Sequence, residues 1–263
     1  MIEKESYKEY ELYYSKKNKQ CKSLLKKICK KEFKELEIYK NTERNYVAKI
    51  EIDGDIYILK SPKAETVIPQ RRVQTYFKDG EALTTLKNLT HWKSIDLDFF
   101  VPPLGVIVKR KKFIDESYIL MDYVEGKILR TTEDIDEVMK IVKHMHSHGI
   151  YHGDLNTSNF IKTKDGIKVI DTQGKSEKYI DYKRCYDIFT LKRDLLVMER
   201  KYDVEKEYNR TESNKETEDN RGIKKEKSIF YYIAYFTKEF KNIPIINKIR
   251  GLKQKLRVKG WKI

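Results

Sequence analysis

The apolar positions of the chain follow two periods. Cys21, Leu24, Leu25, Ile28 and Cys29 stand at i, i+3, i+4, i+7 and i+8, one face of an α-helix, and predict a helical segment over residues 1–33. Three strand-like runs follow, Phe33–Tyr39, Tyr46–Ile52 and Ile56–Lys60, with Asp53-Gly54-Asp55 as the hairpin turn between the second and third. A helix-like stretch covers Arg72–Leu89, and Phe99–Val108 and Ser117–Met121 read as the remaining strands of a small sheet. Ile135, Val138, Val142 and Met145 put one apolar face on a helix over 134–148. Phe160-Ile161-Lys162 and Ile167-Lys168-Val169-Ile170 are apolar-rich runs joined by Thr163-Lys164-Asp165-Gly166, a second hairpin. Residues 203–228 break the pattern: they carry eight acids, seven bases and almost nothing apolar, and read as a charged insertion. Ile229–Phe236 resumes a packed helix.

Composition adds less than pattern. With 263 residues the chain has room for a sizeable core in one two-lobed domain or two small ones. Its 56 Lys and Arg against 41 Asp and Glu give a formal charge of +15. The charge implies affinity for an anionic surface or substrate; by itself it does not make nucleic acid a partner, and none is expected. Eight lysines and no acid lie between Lys16 and Lys31, which suits either an anion-binding face or the solvated side of the helix. Nine Lys or Arg among residues 238–263 alternate with Ile245, Ile246, Ile249, Leu252, Leu256, Val258 and Trp261. This basic amphipathic tail fits an anionic membrane surface, or equally a helix packed on the second lobe. Cys21, Cys29 and Cys185 form no C-x-x-C pair, which favours reduced thiols in the cytoplasm. No signal peptide is read at the charged start, and the longest apolar runs are too short to span a bilayer.

The chemistry is concentrated in residues 151–174. His152-Gly153-Asp154-Leu155-Asn156-Thr157-Ser158-Asn159 fits the H-x-D-L-x-x-x-N catalytic loop of protein kinases. Four fixed residues recur by chance at roughly one position in 10⁵. Asp171 follows twelve residues after Asn159, with Thr172-Gln173-Gly174 where a kinase has the rest of D-F-G. The hairpin between them returns Asp171 beside Asn159. Asp154 can then accept a hydroxyl proton, while Asn159 and Asp171 hold the Mg²⁺ that neutralises a triphosphate. Lys60 ends a strand where a kinase carries the lysine for the α- and β-phosphates; Glu81 is the first candidate to pair with it and Glu65 the second. Met121-Asp122-Tyr123-Val124-Glu125-Gly126 looks like a kinase hinge, where the backbone at Asp122 and Val124 would hydrogen-bond the adenine of ATP. His144, His148 and His152 recur every four residues, but Gly149 ends the helix between them and no Cys or acid completes a zinc set.

With these motifs placed, the chain resembles the lipopolysaccharide core heptose kinases of Gram-negative bacteria, within the protein-kinase-like superfamily. The resemblance runs from about Phe33 onward. It is sharpest at Tyr57-Ile58-Leu59-Lys60, Tyr123-Val124-Glu125-Gly126, Gly153-Asp154 with Asn159-Phe160-Ile161, and Ile170-Asp171-Thr172-Gln173-Gly174-Lys175. It implies ATP-dependent phosphorylation of a heptose hydroxyl in the lipopolysaccharide inner core, at the cytoplasmic face of the inner membrane. By matching positions it makes Asp154 the catalytic base, Asn159 and Asp171 the metal ligands, and Lys60 with Glu81 the phosphate-positioning pair. Three departures stand out. Lys40–Asn45 lacks the glycines of a phosphate-covering loop, Gly153 replaces the loop arginine, and no A-P-E follows Asp171.

The expected architecture is a two-lobed α+β kinase-like fold. A basic helical segment occupies 1–32, a small antiparallel-sheet lobe 33–122, and a mainly helical lobe 123–263, with the insertion at 203–228 and the tail at 238–263. Other kinases of proteins or antibiotics, and a non-catalytic pseudokinase, are the alternatives, because fold does not fix the acceptor.

Overall fold

A computed structural model describes residues 2–16, 20–95, 97–172, 175–177, 182–210 and 229–242. In chain order the elements begin with β1 (Ile2–Tyr7), β2 (Tyr10–Ser15), α1 (Gln20–Lys30), β3 (Lys34–Asn41), β4 (Tyr46–Ile52) and β5 (Asp55–Ser61). Next come α2 (Ala64–Val67), α3 (Pro69–Gln74), α4 (Glu81–Lys93), β6 (Gly105–Arg110), β7 (Ile114–Asp122) and β8 (Lys127–Ile128). After α5 (Thr132–Ser147) and β9 (Ile150–Tyr151) the chain forms β10 (Phe160–Thr163), β11 (Gly166–Val169) and β12 (Lys175–Ser176). It continues as α6 (Tyr182–Leu191), α7 (Leu195–Glu199), α8 (Val204–Asn209) and α9 (Ile229–Asn242). Two compact units result: Met1–Ile128 with Asn159–Gly174, and Leu129–Ser158 with Lys175–Ile263.

The first unit is built on a seven-stranded antiparallel sheet in the order β1-β2-β6-β7-β5-β4-β3. Side chains alternate across it with the period of two that a pleated strand imposes. Leu12, Tyr14, Ala48, Ile50, Tyr57, Leu59, Ile107 and Leu120 pack with Cys21, Leu24, Leu25 and Ile28 of α1 on one face. Val106, Val108, Ile114, Ile119 and Met121 pack with Ala82, Leu83 and Leu86 of α4 on the other. Ile58 belongs with this second cluster, so Lys60, two residues on, stands on the α4 side of β5. Gly105 lets α1 approach closely: an added Cβ would lie 2.7 Å from Leu25 Cδ1 and 2.9 Å from the Tyr13 carbonyl. A smaller sheet, β11-β10-β8, completes the unit, anchored where the Val169 N–H donates to the Phe99 carbonyl at 2.8 Å.

The helical stripe at 21–29 forms α1 as its spacing requires, but the residues before it do not continue it. Residues 2–15 form the β1–β2 hairpin, with Leu12 and Tyr14 buried and Lys8 turning the chain at φ +55°. The expected helical segment over 1–32 is therefore split: residues 2–15 are strands of the sheet, and only the lysine-rich part, α1, is a helix. The predicted helix over 72–89 is two helices, because residues 75–80 leave helical geometry and Gly80 takes φ +85°. There a side chain would be strained and its Cβ would collide with Ile114 Cδ1. The strand expected from Phe99 begins only at Gly105, since Pro102 and Pro103 have no N–H for a ladder.

The second unit is mainly helical. Thr131 and Asp134 close a capping box at the start of α5, whose Ile135, Val138, Met139, Val142 and Met145 are buried. Cys185 and Phe189 of α6 pack with Ala234 of α9, flanked by Tyr182 and Tyr231. The first residues of the expected insertion are folded, since α8 buries Val204 and Tyr208. The rest of that insertion, 211–228, and residues 243–263 of the basic tail lie outside the described residues. No helix among the described residues is long and apolar enough to cross a membrane.

Candidate active site

The loop bearing Asp154 follows β9 in the second unit and is held by its backbone. Asp187 of α6 is fully buried; its carboxylate accepts the His152 N–H at 2.5 Å and the Gly153 N–H at 2.8 Å. Gly153 sits at φ +85°, a left-handed conformation that glycine adopts without cost, so both N–H groups can turn toward one carboxylate. Asp194 secures the far end of the loop, accepting the Thr157 N–H at 3.0 Å and the Thr157 hydroxyl at 2.8 Å. The same carboxylate caps α7 by accepting the Leu196 N–H at 3.0 Å. Leu155 is fully buried beneath the loop, while Asp154 itself is exposed. Asn156 Nδ2 donates to Asp154 Oδ1 at 2.9 Å and orients the carboxylate.

A buried chain of polar groups backs this clasp. His146 lies 3.4 Å from Asp187 through Nε2 and 2.7 Å from the Tyr208 hydroxyl through Nδ1. Burial holds its imidazole below the ordinary value against the pull of Asp187, so His146 is neutral at pH 7. The neutral ring then donates from Nε2 to Asp187 and accepts at Nδ1 from Tyr208.

The other residues expected at the site belong to the first unit. β10 and β11 pair with Phe160 opposite Val169, and the Ile170 N–H donates to the Asn159 carbonyl at 3.0 Å. The hairpin thus brings the backbone of Asn159 against the residue before Asp171, as its turn signal predicts. Lys60 Nζ lies 3.0 Å from Asp171 Oδ1 and 3.0 Å from the Ile170 carbonyl. Asp171 remains 68% exposed in this pair, whereas the Lys60 side chain is 19% exposed.

Lys60 therefore meets Asp171 and not Glu81. The break before α4 puts Glu81 in the first turn of that helix, where its charge complements the helix dipole and its carboxylate faces Arg71 at 3.9 Å. Glu65 serves α4 too. Gly80 has no side chain to cap the helix, and Glu65 Oε1 accepts the Glu81 N–H at 2.7 Å. Burial pushes the Glu65 carboxyl up, opposed by that hydrogen bond. Asp122 ends β7, and its carboxyl is likewise raised by burial, with Lys93 opposing. Residues 123–126, Val124 among them, stand between β7 and β8 outside the sheet ladders. Gly126 is required there, since a Cβ would collide with Ile161 Cγ2. Asp187 and Asp194, absent from the sequence reading, carry a faint signal: an acid inside the apolar run Cys185–Phe189, and an acid just before Leu195-Leu196-Val197.

Comparison with known proteins gives the same direction. The family model described as lipopolysaccharide core biosynthesis protein (WaaY) matches residues 1–212. The chain is 26% identical over 183 residues to the lipopolysaccharide core heptose(II) kinase WaaY of Escherichia coli, covering 67% of this chain and 79% of that protein. Over 140 residues, 48% of this chain, it is 25% identical to cyclin-dependent kinase 11B of Rattus norvegicus, of which it spans 32%. A probable bifunctional tRNA threonylcarbamoyladenosine biosynthesis protein of Methanosarcina acetivorans is 29% identical over 119 residues, 44% of this chain and 22% of that protein. The α+β, kinase-like architecture expected from the sequence is borne out.

Proposed function

Since the chain belongs to the lipopolysaccharide core biosynthesis protein (WaaY) family, we propose that this kinase transfers the γ-phosphoryl group of ATP to a heptose hydroxyl of the lipopolysaccharide inner core. Asp154 is the base in this reading. The observation that carries it is the loop held at residues 152, 153 and 157 by Asp187 and Asp194, with an exposed carboxylate between the two clasps. A loop fixed in this way holds Asp154 without reorganisation, which is what positioning catalysis requires. Asp154 takes the proton of the acceptor hydroxyl as its oxygen attacks the γ-phosphorus and the bond to the β-γ bridging oxygen breaks, ADP leaving.

Asn159 and Asp171 offer an amide and a carboxylate oxygen, the hard donors that suit Mg²⁺ alongside phosphate oxygens. When bound there, Mg²⁺ supplies positive charge to the phosphates being separated. Lys60, already beside Asp171, is placed to exchange that carboxylate for a phosphate. The backbone from Asp122 to Val124 is the adenine contact in the proposal, because the chain leaves the sheet ladder just after Asp122. Glu81 acts indirectly, as the head of the helix packed on the Lys60 side of the sheet. The acceptor is lipid-anchored, so we place the reaction at the cytoplasmic face of the inner membrane, with the basic tail at 238–263 as one contact.

The test is chemical. Cells lacking the protein should yield a core oligosaccharide lighter by one phosphate, and purified protein with Mg-ATP should restore that mass on the isolated acceptor. An unchanged core together with strong phosphorylation of a protein substrate would transfer the assignment to a protein kinase.

A further inference from the structure

On the first unit, α2, α3, the turn that follows α3 and the β6–β7 turn carry an exposed apolar surface that the proposed reaction does not use. Phe77 is 80% exposed, Val73 55%, Tyr76 52% and Val67 51%. Scattered exposed apolar residues are ordinary on any protein, but these are grouped, and two of them are aromatic. The Tyr76 ring lies 4.8 Å edge-on to Phe77 and 6.1 Å from Phe113. The surface is also held in place. The Ile114 N–H donates to Thr75 Oγ1 at 3.0 Å, and Arg110 Nη2 donates to the Lys78 carbonyl at 2.9 Å, fastening the turn to the end of the helix.

Positive charge borders the rings. Arg72 and Lys112 each stand 5.7 Å from the Phe113 centroid, and Lys111 and Lys112 are exposed. Residues 71–81 and 110–115 contain six Lys or Arg against three acids, Asp79, Glu81 and Asp115. Asp79 is taken by Lys87 at 2.5 Å, Asp115 faces Arg72 at 3.4 Å, and Glu81 faces Arg71 at 3.9 Å. Aromatic tips standing out of the surface, with cations around them, match the polar–apolar boundary of a bilayer whose headgroups are anionic.

We propose that this surface, centred on Tyr76 and Phe77 and bordered by Arg72, Lys111 and Lys112, docks the protein on anionic membrane. In biological meaning the proposal rests on the heptose-kinase reading, which supplies a lipid-anchored acceptor; its physical basis is the surface itself. Docking here brings the protein to the plane in which its acceptor is anchored, independently of the tail.

The test uses the full chain and sedimentation with vesicles of phosphatidylglycerol and phosphatidylcholine, with pure phosphatidylcholine as the control. Wild type should partition to the anionic vesicles and be released by salt, since screening acts beyond about 10 Å at 0.1 M. Y76S/F77S should bind at least about tenfold more weakly, because two rings no longer enter the interface. K111Q/K112Q should bind about tenfold more weakly or worse at low salt and differ little from wild type at high salt. Both variants should keep wild-type rates on a soluble core fragment. Should Y76S/F77S fail to fold, K111Q/K112Q decides alone. Wild-type binding by both variants would assign attachment to the tail and overturn the proposal. A changed sedimentation of the protein alone, with vesicle binding intact, would overturn it in favour of contact between two copies. If the protein phosphorylates no heptose, the vesicle measurements still decide the surface.

Discussion

The Asp154 loop and the Lys60–Asp171 pair are held by opposite means. In the second unit a fully buried carboxylate, Asp187, fixes the loop through backbone N–H groups, backed by His146 and Tyr208. In the first unit an ion pair joins two side chains, and one of them is 68% exposed. Buried acceptors that satisfy backbone donors are costly to lose, whereas exposed pairs contribute little and exchange readily. The contrast fits the chemistry proposed for each. A base must wait in one position, but Asp171 and Lys60 have to part to receive metal and phosphate.

Five substitutions test that contrast, the largest effect first. Asp154→Asn and Asp171→Ala should each lower turnover by about 10²–10⁴-fold. Asp171→Ala should leave the unfolding free energy measured in urea nearly unchanged, within about 1 kcal/mol, and weaken nucleotide binding. Asp154→Asn should leave nucleotide affinity as it is. Near-normal turnover in either variant would remove that residue from the mechanism.

Asp187→Ala strips two N–H groups and an imidazole of a buried acceptor, and should cost on the order of 3–5 kcal/mol in chemical denaturation. A loss under about 1 kcal/mol would mean that the loop does not depend on the clasp. Asp194→Ala removes a helix cap together with the bonds to Thr157. It should cost about 1–2 kcal/mol, with a matching fall in turnover as the loop end loosens.

The smallest effect is a pH dependence. His146 is held below its ordinary value of 6.5 by burial, so the folded protein binds fewer protons there than the unfolded chain. Its contribution is intact above pH 6.5 and is lost as pH falls from there toward the lowered folded value. Comparing wild type with His146→Gln should show this acid-side slope in the former and its reduction in the latter. Equal slopes would exclude His146 as the group responsible.

What the sequence disclosed depended on how far apart the partners lie in the chain. The Asp154 loop, the β10–β11 hairpin and the strand carrying Lys60 are local patterns, and each formed where its residues placed it. The β1–β2 hairpin was missed because the helical stripe at 21–29 is strong and the turn at Lys8 carries no glycine, proline or asparagine. The break at 75–80 is marked by Asp79-Gly80, a turn signal inside an otherwise helical run. Asp187 and Asp194 act 34–37 residues away from the groups they hold, so no local window contains both partners. Glu81 illustrates the reverse: a plausible spacing from Lys60, redirected by a helix that begins later than its periodicity suggested.

The discontinuity of the first unit sets a schedule for synthesis. The seven-stranded sheet is complete once Asp122 has emerged, but the small sheet needs β10 and β11, which come after residues 129–158. At about 5–20 residues per second the ribosome delivers that intervening stretch over a few seconds, during which β8 has no strand to pair with. Proteins cut back to residue 128 would hold this unfinished state permanently, with Ile128 lacking the Ile161 partner it has in the full chain. Nascent chains arrested between these points should be the form most sensitive to protease and most dependent on chaperones.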